Sequence, residues 1–139
     1  MDGVFFEDLS VGQTASFGKT VTEADILLFA AVSGDTNPVH INAEAAAASL
    51  FKERIAHGML SAGFISAVLG TRLPGPGTIY LSQTLKFRAP VTIGQTVTAT
   101  VEVTALDAAK KRATLKTTCT VAGKVVIEGE AIVIPPAKA

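Results

Sequence analysis

The sequence predicts an α+β domain in which a curved antiparallel sheet wraps around a buried central helix. Helical patterns fill the first half of the chain and alternating strand patterns fill the second, an order typical of α+β domains. The segment Met59–Leu69 is apolar on nearly every side, with Ser61 and Ser66 as its polar residues. A helix that is apolar all round is expected to be buried all round. With 139 residues, we expect one domain over residues 1–139.

The first half begins with a predicted strand, Gln13–Thr20. Thr22 and Asp25 then have the spacing of a capping box, which predicts a helix through Ile26–Val32. Gly34 follows this helix in the usual position after a helix end, so the next residues should lie outside regular structure.

A second, shorter helix is predicted over Ala43–Leu50, because Asn42 can cap it and its alanines have high helix propensity. Phe51–Ala56 should be a loop or a short extended piece. The apolar helix over Met59–Leu69 is about 18 Å long, too short to cross a bilayer, and is therefore predicted to be the central helix. The Pro- and Gly-rich segment Leu73–Gly77 ends it.

Four strands are predicted in the second half, each with one apolar and one wet face. Short connections near Ile93-Gly94, at Asp107–Lys110 and at Ala122-Gly123 suit antiparallel neighbours. The residues expected to face inward are Ile79, Leu81, Leu85 and Phe87; Val97, Ala99, Val101 and Val103; Ala113, Leu115, Thr117, Cys119 and Val121; and Val125, Ile127, Ala131 and Val133.

Composition excludes several classes of function. Twelve basic and twelve acidic residues cancel, and no basic cluster indicates a nucleic acid or a membrane surface as partner. The single Cys cannot form an intramolecular disulfide, which favours a reducing cytoplasm. The acidic segment Met1–Asp8 lacks the apolar run of a signal peptide. We therefore expect a cytoplasmic protein.

The candidate for chemistry is the segment Ser33–His40, which places Asp35 and His40 five positions apart among turn-forming residues. Gly34 gives a permissive backbone and Pro38 fixes its own φ. Such a segment can be irregular yet rigid, as a pair of acid–base groups requires. The alternative is a turn that happens to contain a histidine.

A second candidate is Gly58, at the start of the central helix. The first N–H groups of a helix lack internal partners, and the helix dipole is positive there. A glycine lets a ligand approach this backbone, so its N–H suits a developing oxyanion. Alternatively, Gly58 only relieves a tight turn. His57 is expected to order that turn through hydrogen bonds rather than to react.

Together these pieces suit the addition of water across a double bond conjugated to a thioester carbonyl. A carboxylate and an imidazole that hold one water can serve both proton steps, and the helix start can hold the oxygen that gathers negative charge.

The run Val32–His40, with its Gly-Asp-x-Asn-Pro-x-His motif, and Ala-His-Gly-Met-Leu at Ala56–Leu60 resemble the signature of MaoC-like (R)-specific enoyl-CoA hydratases, also called hydratase 2 and including the PhaJ type. The similarity covers nearly the whole chain, including Leu73–Gly75 and Ile79–Leu81. The resemblance implies the hot-dog fold, a long helix wrapped by an antiparallel sheet. It also implies an acyl-CoA substrate, a (3R)-3-hydroxyacyl-CoA product, no metal or redox cofactor, and a homodimer.

Residue by residue, the resemblance implies that Asp35 and His40 hold the water and that the Gly58 N–H is the oxyanion donor. It assigns supporting positions to Ser33, Asn37 and Ser66. Ser66 has an equally good alternative, a hydroxyl bonded back to its own helix.

Three other functions stay open at the level of sequence. A 3-hydroxyacyl-acyl-carrier-protein dehydratase runs the same chemistry backwards, and a basic surface around the pocket mouth would favour it. A hot-dog thioesterase would release a free thiol. A non-catalytic acyl-binding subunit would bind its ligand without needing Asp35.

Three further features are expected to be structural. Cys119 should be an unreactive core residue. Lys110–Arg112 should be a solvated hairpin, with a grip on CoA phosphates as the alternative. Gln83 is either a bonded core amide or a polar group that lines a pocket.

Overall fold

The computed structural model describes residues 2–139, which form one five-stranded antiparallel sheet in the order β1-β3-β4-β5-β2. The strands are β1 (Thr14–Thr20), β2 (Ile79–Phe87), β3 (Thr96–Asp107), β4 (Arg112–Val121) and β5 (Lys124–Ile134). The helices are α1 (Glu23–Ser33), α2 (Pro38–Ile41), α3 (Ala43–Ala48) and α4 (Gly58–Thr71). Helix α4 packs across β1, β3, β4 and β5, so the predicted sheet on a central helix is confirmed.

The predicted capping box of α1 is present. The Asp25 N–H donates to Thr22 Oγ1 at 3.1 Å, and the Thr22 N–H donates to Asp25 Oδ2 at 2.9 Å. Lys19 pairs with the same carboxylate at 2.6 Å, and this hydrogen bond lowers the pKa of Asp25. Gly34 ends the helix with φ 80°, in the left-handed region that a glycine adopts without strain.

Helix α3 is capped as predicted, since Asn42 Oδ1 accepts the Ala45 N–H at 3.0 Å, but it ends at Ala48 rather than Leu50. The one-turn helix α2 was not predicted. It begins at Pro38, where the missing proline N–H costs no helical hydrogen bond. His40 therefore lies on a helical turn and not in an irregular segment.

The inward faces of β3 and β4 are confirmed. The following predicted residues have no exposed surface: Val97, Ala99, Val101, Val103, Ala113, Leu115, Thr117 and Cys119. The prediction for Val125 was wrong, because the β4–β5 register shifts between Cys119 and Thr120. Val126 and Ile127 are both buried there, while Val125 lies partly exposed.

The predicted neighbours β2 and β3 are not adjacent. β2 pairs with β5, from Ile79 opposite Ile134 to Phe87 opposite Ile127, and both β4 and β5 lie between β2 and β3. The length of the connection does not indicate which strands pair. Residues 88–95 are few, yet they cross the sheet from its β2 edge to β3. As an edge strand, β2 keeps much of its apolar face exposed, including Ile79, Leu81 and Phe87.

Helix α4 was expected to be buried on every side, and this was wrong for the single chain. Ile65, Val68 and Leu69 face the sheet and are buried. The opposite side carries an exposed stripe, which we call the α4 stripe: Met59, Gly63, Ser66 and Gly70. One sheet covers only one side of a helix, so an apolar helix of this kind needs a further partner for its other side.

Of the two alternatives for Gln83, the structure favours the bonded amide, because its Nε2 donates to Thr117 Oγ1 at 2.8 Å. Burial raises the pKa of the Cys119 thiol to about 12, so it stays protonated and unreactive. Lys111, in the β3–β4 hairpin, pairs with Glu7 at 2.8 Å. Within residues 2–139, no helix has the length and apolar character required to cross a membrane.

Gly129 provides a test of the β2–β5 register. A Cβ at this position would lie 1.8 Å from the Thr84 carbonyl oxygen, a backbone atom that cannot turn away. Gly129→Ala should lower the free energy of unfolding by about 3 kcal/mol or more. Gly18→Ala is the matched control, since a Cβ there would lie 4.0 Å from Thr98 Oγ1. Equal thermal unfolding of the two variants would contradict the register.

Candidate active site

A pocket of about 820 Å³ lies between the segment after α1, the start of α4 and the end of β2. It brings together four of the predicted site residues: Ser33, Asp35, His40 and Gly58. Its floor is apolar, with Ala56, Val91 and Ile127 buried. The two sequence-distant pieces of the prediction therefore meet at one cavity.

Two polar residues hold the segment that carries Asp35. Ser33 Oγ donates to the Phe29 carbonyl at 2.6 Å and accepts the Asp35 N–H at 3.1 Å. Asn37 Oδ1 accepts the Val39 N–H at 3.1 Å, and the Asn37 N–H donates to Asp35 Oδ1 at 3.2 Å. Asn37 does not line the pocket, yet it contacts the carboxylate directly. These are the contacts that a supporting role for Ser33 and Asn37 requires.

His40 is buried, and its tautomer follows from its partner. Nδ1 lies 2.8 Å from the Ile55 carbonyl oxygen, which can only accept, so Nδ1 carries the proton. In the neutral ring Nε2 is then an acceptor, and it faces Asp35 Oδ2 at 3.9 Å. This separation is too long for a direct hydrogen bond. Two acceptors at this distance suit one water that donates a hydrogen to each.

His57 mirrors this arrangement. Its Nε2 lies 2.8 Å from the Asp35 carbonyl oxygen and must donate to it. Its ring stacks on that of His40, with ring centroids 3.8 Å apart and planes inclined by 26°. Each histidine thus donates to a backbone carbonyl of the segment that carries the other histidine. We call this unit the histidine clasp: the rings of His40 and His57 with the carbonyls of Ile55 and Asp35.

The cluster of Asp35, His40 and His57 does not suit a metal ion, although one potential ligand atom from each lies within 4.8 Å of the others. A metal ion lies near the plane of each imidazole that binds it, at about 2.0–2.1 Å from the nitrogen. Two stacked rings inclined by only 26° have planes that meet far beyond this reach. In the clasp, both histidines therefore cannot bind one ion.

Gly58 is the first residue of α4, and His57 caps the helix without a side-chain hydrogen bond to it. The Leu60 N–H donates to the His57 carbonyl at 3.1 Å, whereas the N–H groups of Gly58 and Met59 have no side-chain partner from the cap. A Cβ on Gly58 would lie 2.5 Å from the ring of Phe87, another pocket residue. The glycine allows Phe87 to pack against the helix start and to form a wall of the cavity.

The structure does not bring Ser66 to the pocket. It belongs to the α4 stripe, five residues and about 140° of helix rotation away from Ser61. Ser61 lines the pocket instead, is buried, and has a hydroxyl without a hydrogen-bond partner. The sequence did contain a signal for Ser61: it lies three residues after Gly58, and residues three apart lie on the same face of a helix.

Two other outcomes concern residues weighed for the site. Lys110–Arg112 lie outside the pocket, which removes the support for a phosphate grip by this hairpin in the single chain. Phe87 was predicted only as a core residue. The end of an edge strand exposes it and places it against Gly58, a non-local contact that periodicity does not reveal.

Residues 8–129 match the family described as MaoC like domain. The chain is 67% identical over 134 residues to an (R)-specific enoyl-CoA hydratase of Rhodospirillum rubrum, covering 96% of this chain and 93% of the relative. It is 52% identical over 135 residues to a 3-hydroxybutyryl-CoA dehydratase of Methylorubrum extorquens, covering 97% and 86%. The unliganded R-hydratase PhaJ1 of Pseudomonas aeruginosa superimposes with a TM-score of 0.93 at 48% identity, covering 98% and 88%.

The clasp predicts opposite tautomers for the two histidines. Two-bond ¹⁵N–¹H correlation spectra, recorded where both rings are neutral, should show the proton of His40 on Nδ1 and that of His57 on Nε2. The reason is that each proton points at a carbonyl oxygen. The same tautomer for both rings would contradict the clasp.

Proposed function

Because the chain belongs to the family of MaoC-like domains, we propose that it is an (R)-specific enoyl-CoA hydratase, which converts a trans-2-enoyl-CoA to a (3R)-3-hydroxyacyl-CoA. The observation that carries this proposal is the 3.9 Å gap between His40 Nε2 and Asp35 Oδ2 in a pocket that also contains Gly58. The gap fits the reacting water, and the helix start fits the thioester oxygen. The hot-dog fold of the structural relatives is consistent with this use of the chain.

In the proposed reaction, one water supplies a hydroxyl to C3 and a proton to C2. The water donates its hydrogens to His40 Nε2 and the Asp35 carboxylate, which leaves an oxygen lone pair free to attack C3. The proton lost by the water passes to this coupled pair, and the pair returns a proton to C2. Each proton transfer contributes about 10²–10⁴-fold to the rate.

Between these steps, negative charge gathers on the thioester oxygen. The Gly58 N–H, at the positive end of a helix of 14 residues, is the proposed donor to this oxygen. No charged side chain is needed at this point. The acyl tail then lies along the apolar floor formed by Ala56, Val91 and Ile127.

Coenzyme A is the proposed carrier of the acyl group. Arg88 is the one cationic residue among those described that line the pocket, and it pairs with Glu128 at 2.5 Å. This hydrogen bond lowers the pKa of Glu128. Among the described residues, the pocket lining thus offers one Lys or Arg side chain, and it is already paired, which gives little support to recognition of an acidic carrier protein. The R. rubrum and M. extorquens relatives are both named for CoA substrates.

A homodimer is the proposed assembly. Edge strand β2 carries exposed Ile79, Tyr80 and Leu81, and an unpaired edge can continue into a second copy of itself. Antiparallel pairing of β2 with its copy is two-fold symmetric and therefore closes as a dimer. A second copy would also supply the missing cover for the α4 stripe. We propose the cytoplasm as the compartment, where a single free Cys remains reduced.

Asp35→Asn and His40→Gln should each lower kcat for hydration of crotonyl-CoA by at least about 100-fold, because an amide cannot take up or return a proton as the carboxylate or imidazole does. Loss of the enoyl-thioester absorbance measures the rate, and an (R)-specific dehydrogenase assigns the product. Asp107→Asn is the matched control, since this carboxylate lies in the β3–β4 hairpin away from the pocket. Formation of the (S) product, or release of free thiol by the wild-type protein, would contradict the proposal.

The assembly can be tested with one substitution on the edge strand. Leu81→Lys should convert the dimer to a monomer, because a buried lysine opposes edge pairing. Sedimentation equilibrium measures the mass. Val11→Lys is the control: it also replaces an exposed aliphatic residue by lysine, at a position that is 63% exposed and lies outside β2. This variant should remain a dimer. A wild-type mass of one chain would refute the dimer.

A further inference from the structure

We propose that His57 is a positioning residue for the hydration step: it fixes the gap between Asp35 and His40 and takes no part in proton transfer. The inference rests on the function proposed above and concerns a residue for which that mechanism has no direct use. His57 is 2% exposed and lies between the segment that carries Asp35 and the start of α4.

The first contact fixes the backbone of Asp35. The Nε2–H of His57 donates to the Asp35 carbonyl at 2.8 Å. The Asp35 side chain is about half exposed, on a segment that packing alone does not hold. Ser33 holds the N–H side of the same residue at 3.1 Å. His57 is thus the link between the carboxylate-bearing segment and the helix that begins at Gly58.

The second contact fixes the ring of His40. That ring makes one hydrogen bond, from Nδ1 to the Ile55 carbonyl. One hydrogen bond alone leaves the ring free to rotate about the axis of that hydrogen bond. The stack on His57, at 3.8 Å between centroids, restricts this rotation. Phe29 lies against the other ring, that of His57, at 4.8 Å and keeps it in place. The orientation of His40 Nε2 towards Asp35 therefore depends on His57.

His57 is not itself suited to proton transfer. Its Nε2–H is engaged by a backbone carbonyl that cannot accept a transferred proton at neutral pH. Its Nδ1 is enclosed by protein atoms and has no hydrogen-bond partner among the described residues. Both ring nitrogens are therefore unavailable to the reacting water. What remains is control of geometry, and a misplacement of about 1 Å costs about 10²-fold in rate.

The test compares three substitutions at one position. His57→Leu removes the donor and the stack, His57→Phe keeps a flat ring without the donor, and His57→Gln keeps an amide N–H that reaches the carbonyl. Thr117→Val is the control, because it also removes a buried hydrogen bond, here to Gln83, but lies outside the pocket. For each, kcat and KM with crotonyl-CoA are measured beside the melting temperature.

His57→Leu should lower kcat about 100-fold and leave KM within about threefold, because geometry matters most in the transition state. His57→Gln, which keeps the bond to the Asp35 carbonyl, and His57→Phe, which keeps a ring against His40, should each recover part of the kcat lost in His57→Leu, with His57→Gln within about tenfold of wild type. Thr117→Val should lower the melting temperature and leave kcat unchanged. This rescue separates positioning from a general loss of stability.

Wild-type kcat in His57→Leu, or equal losses in all three His57 variants, would overturn the role of His57. A wild-type chain without hydratase activity would count against the proposed function instead. A substrate-free readout covers that case: in ¹⁵N relaxation spectra, the His40 ring of His57→Leu should be more mobile than in the wild type, because the stack that restricts it is lost. An equally rigid His40 ring in the two proteins would overturn the inference.

Discussion

Two imidazole rings hold this site together, each donating to a carbonyl of the segment that carries the other. The segments are far apart in sequence, and the clasp joins them at 2.8 Å on both sides. A backbone hydrogen bond from Ile55 to Val39, at 3.2 Å, and the bond from Arg54 Nε to the His40 carbonyl, at 2.7 Å, add to the same junction. The clasp sets both the tautomer of His40 and the place of Asp35.

The fold supplies the other half of the site. A sheet that covers only one side of α4 leaves the start of this helix at a cavity, where the Gly58 N–H and the positive dipole end meet the clasp. Since Gly58 has no side chain, the Phe87 ring can pack against this end of the helix, in the space that a Cβ would need. The proposed acid–base groups and the proposed oxyanion donor thus come from two different elements, which the histidine clasp joins.

Local signals in the sequence predicted what local interactions decide. The capping box at Thr22, the left-handed Gly34 and the inward faces of β3 and β4 all depend on residues close in sequence or on strict alternation. The meeting of Asp35, His40 and Gly58 was also predicted, from motif chemistry and resemblance to a family. The partner strand of β2, the exposed side of α4 and the one-turn helix α2 were not, because long-range pairing or a single proline decides them.

Two site features lay beyond the reach of periodicity. The stack of His40 on His57 joins residues 17 positions apart, and no spacing rule indicates it. Ser61, rather than Ser66, faces the pocket because of helical phase, which is fixed only once the start of α4 and its contact with Phe87 are known. The sequence thus predicted the proposed reacting groups, and the structure shows which side chains contact them.

The most direct measurement of the central claim is a crystal structure of the Asp35→Asn variant with trans-2-butenoyl-CoA bound. The thioester oxygen should lie within about 3 Å of the Gly58 nitrogen, and C3 should face the gap between His40 Nε2 and residue 35. A thioester bound away from the helix start, or a C3 turned from the His40 ring, would contradict it.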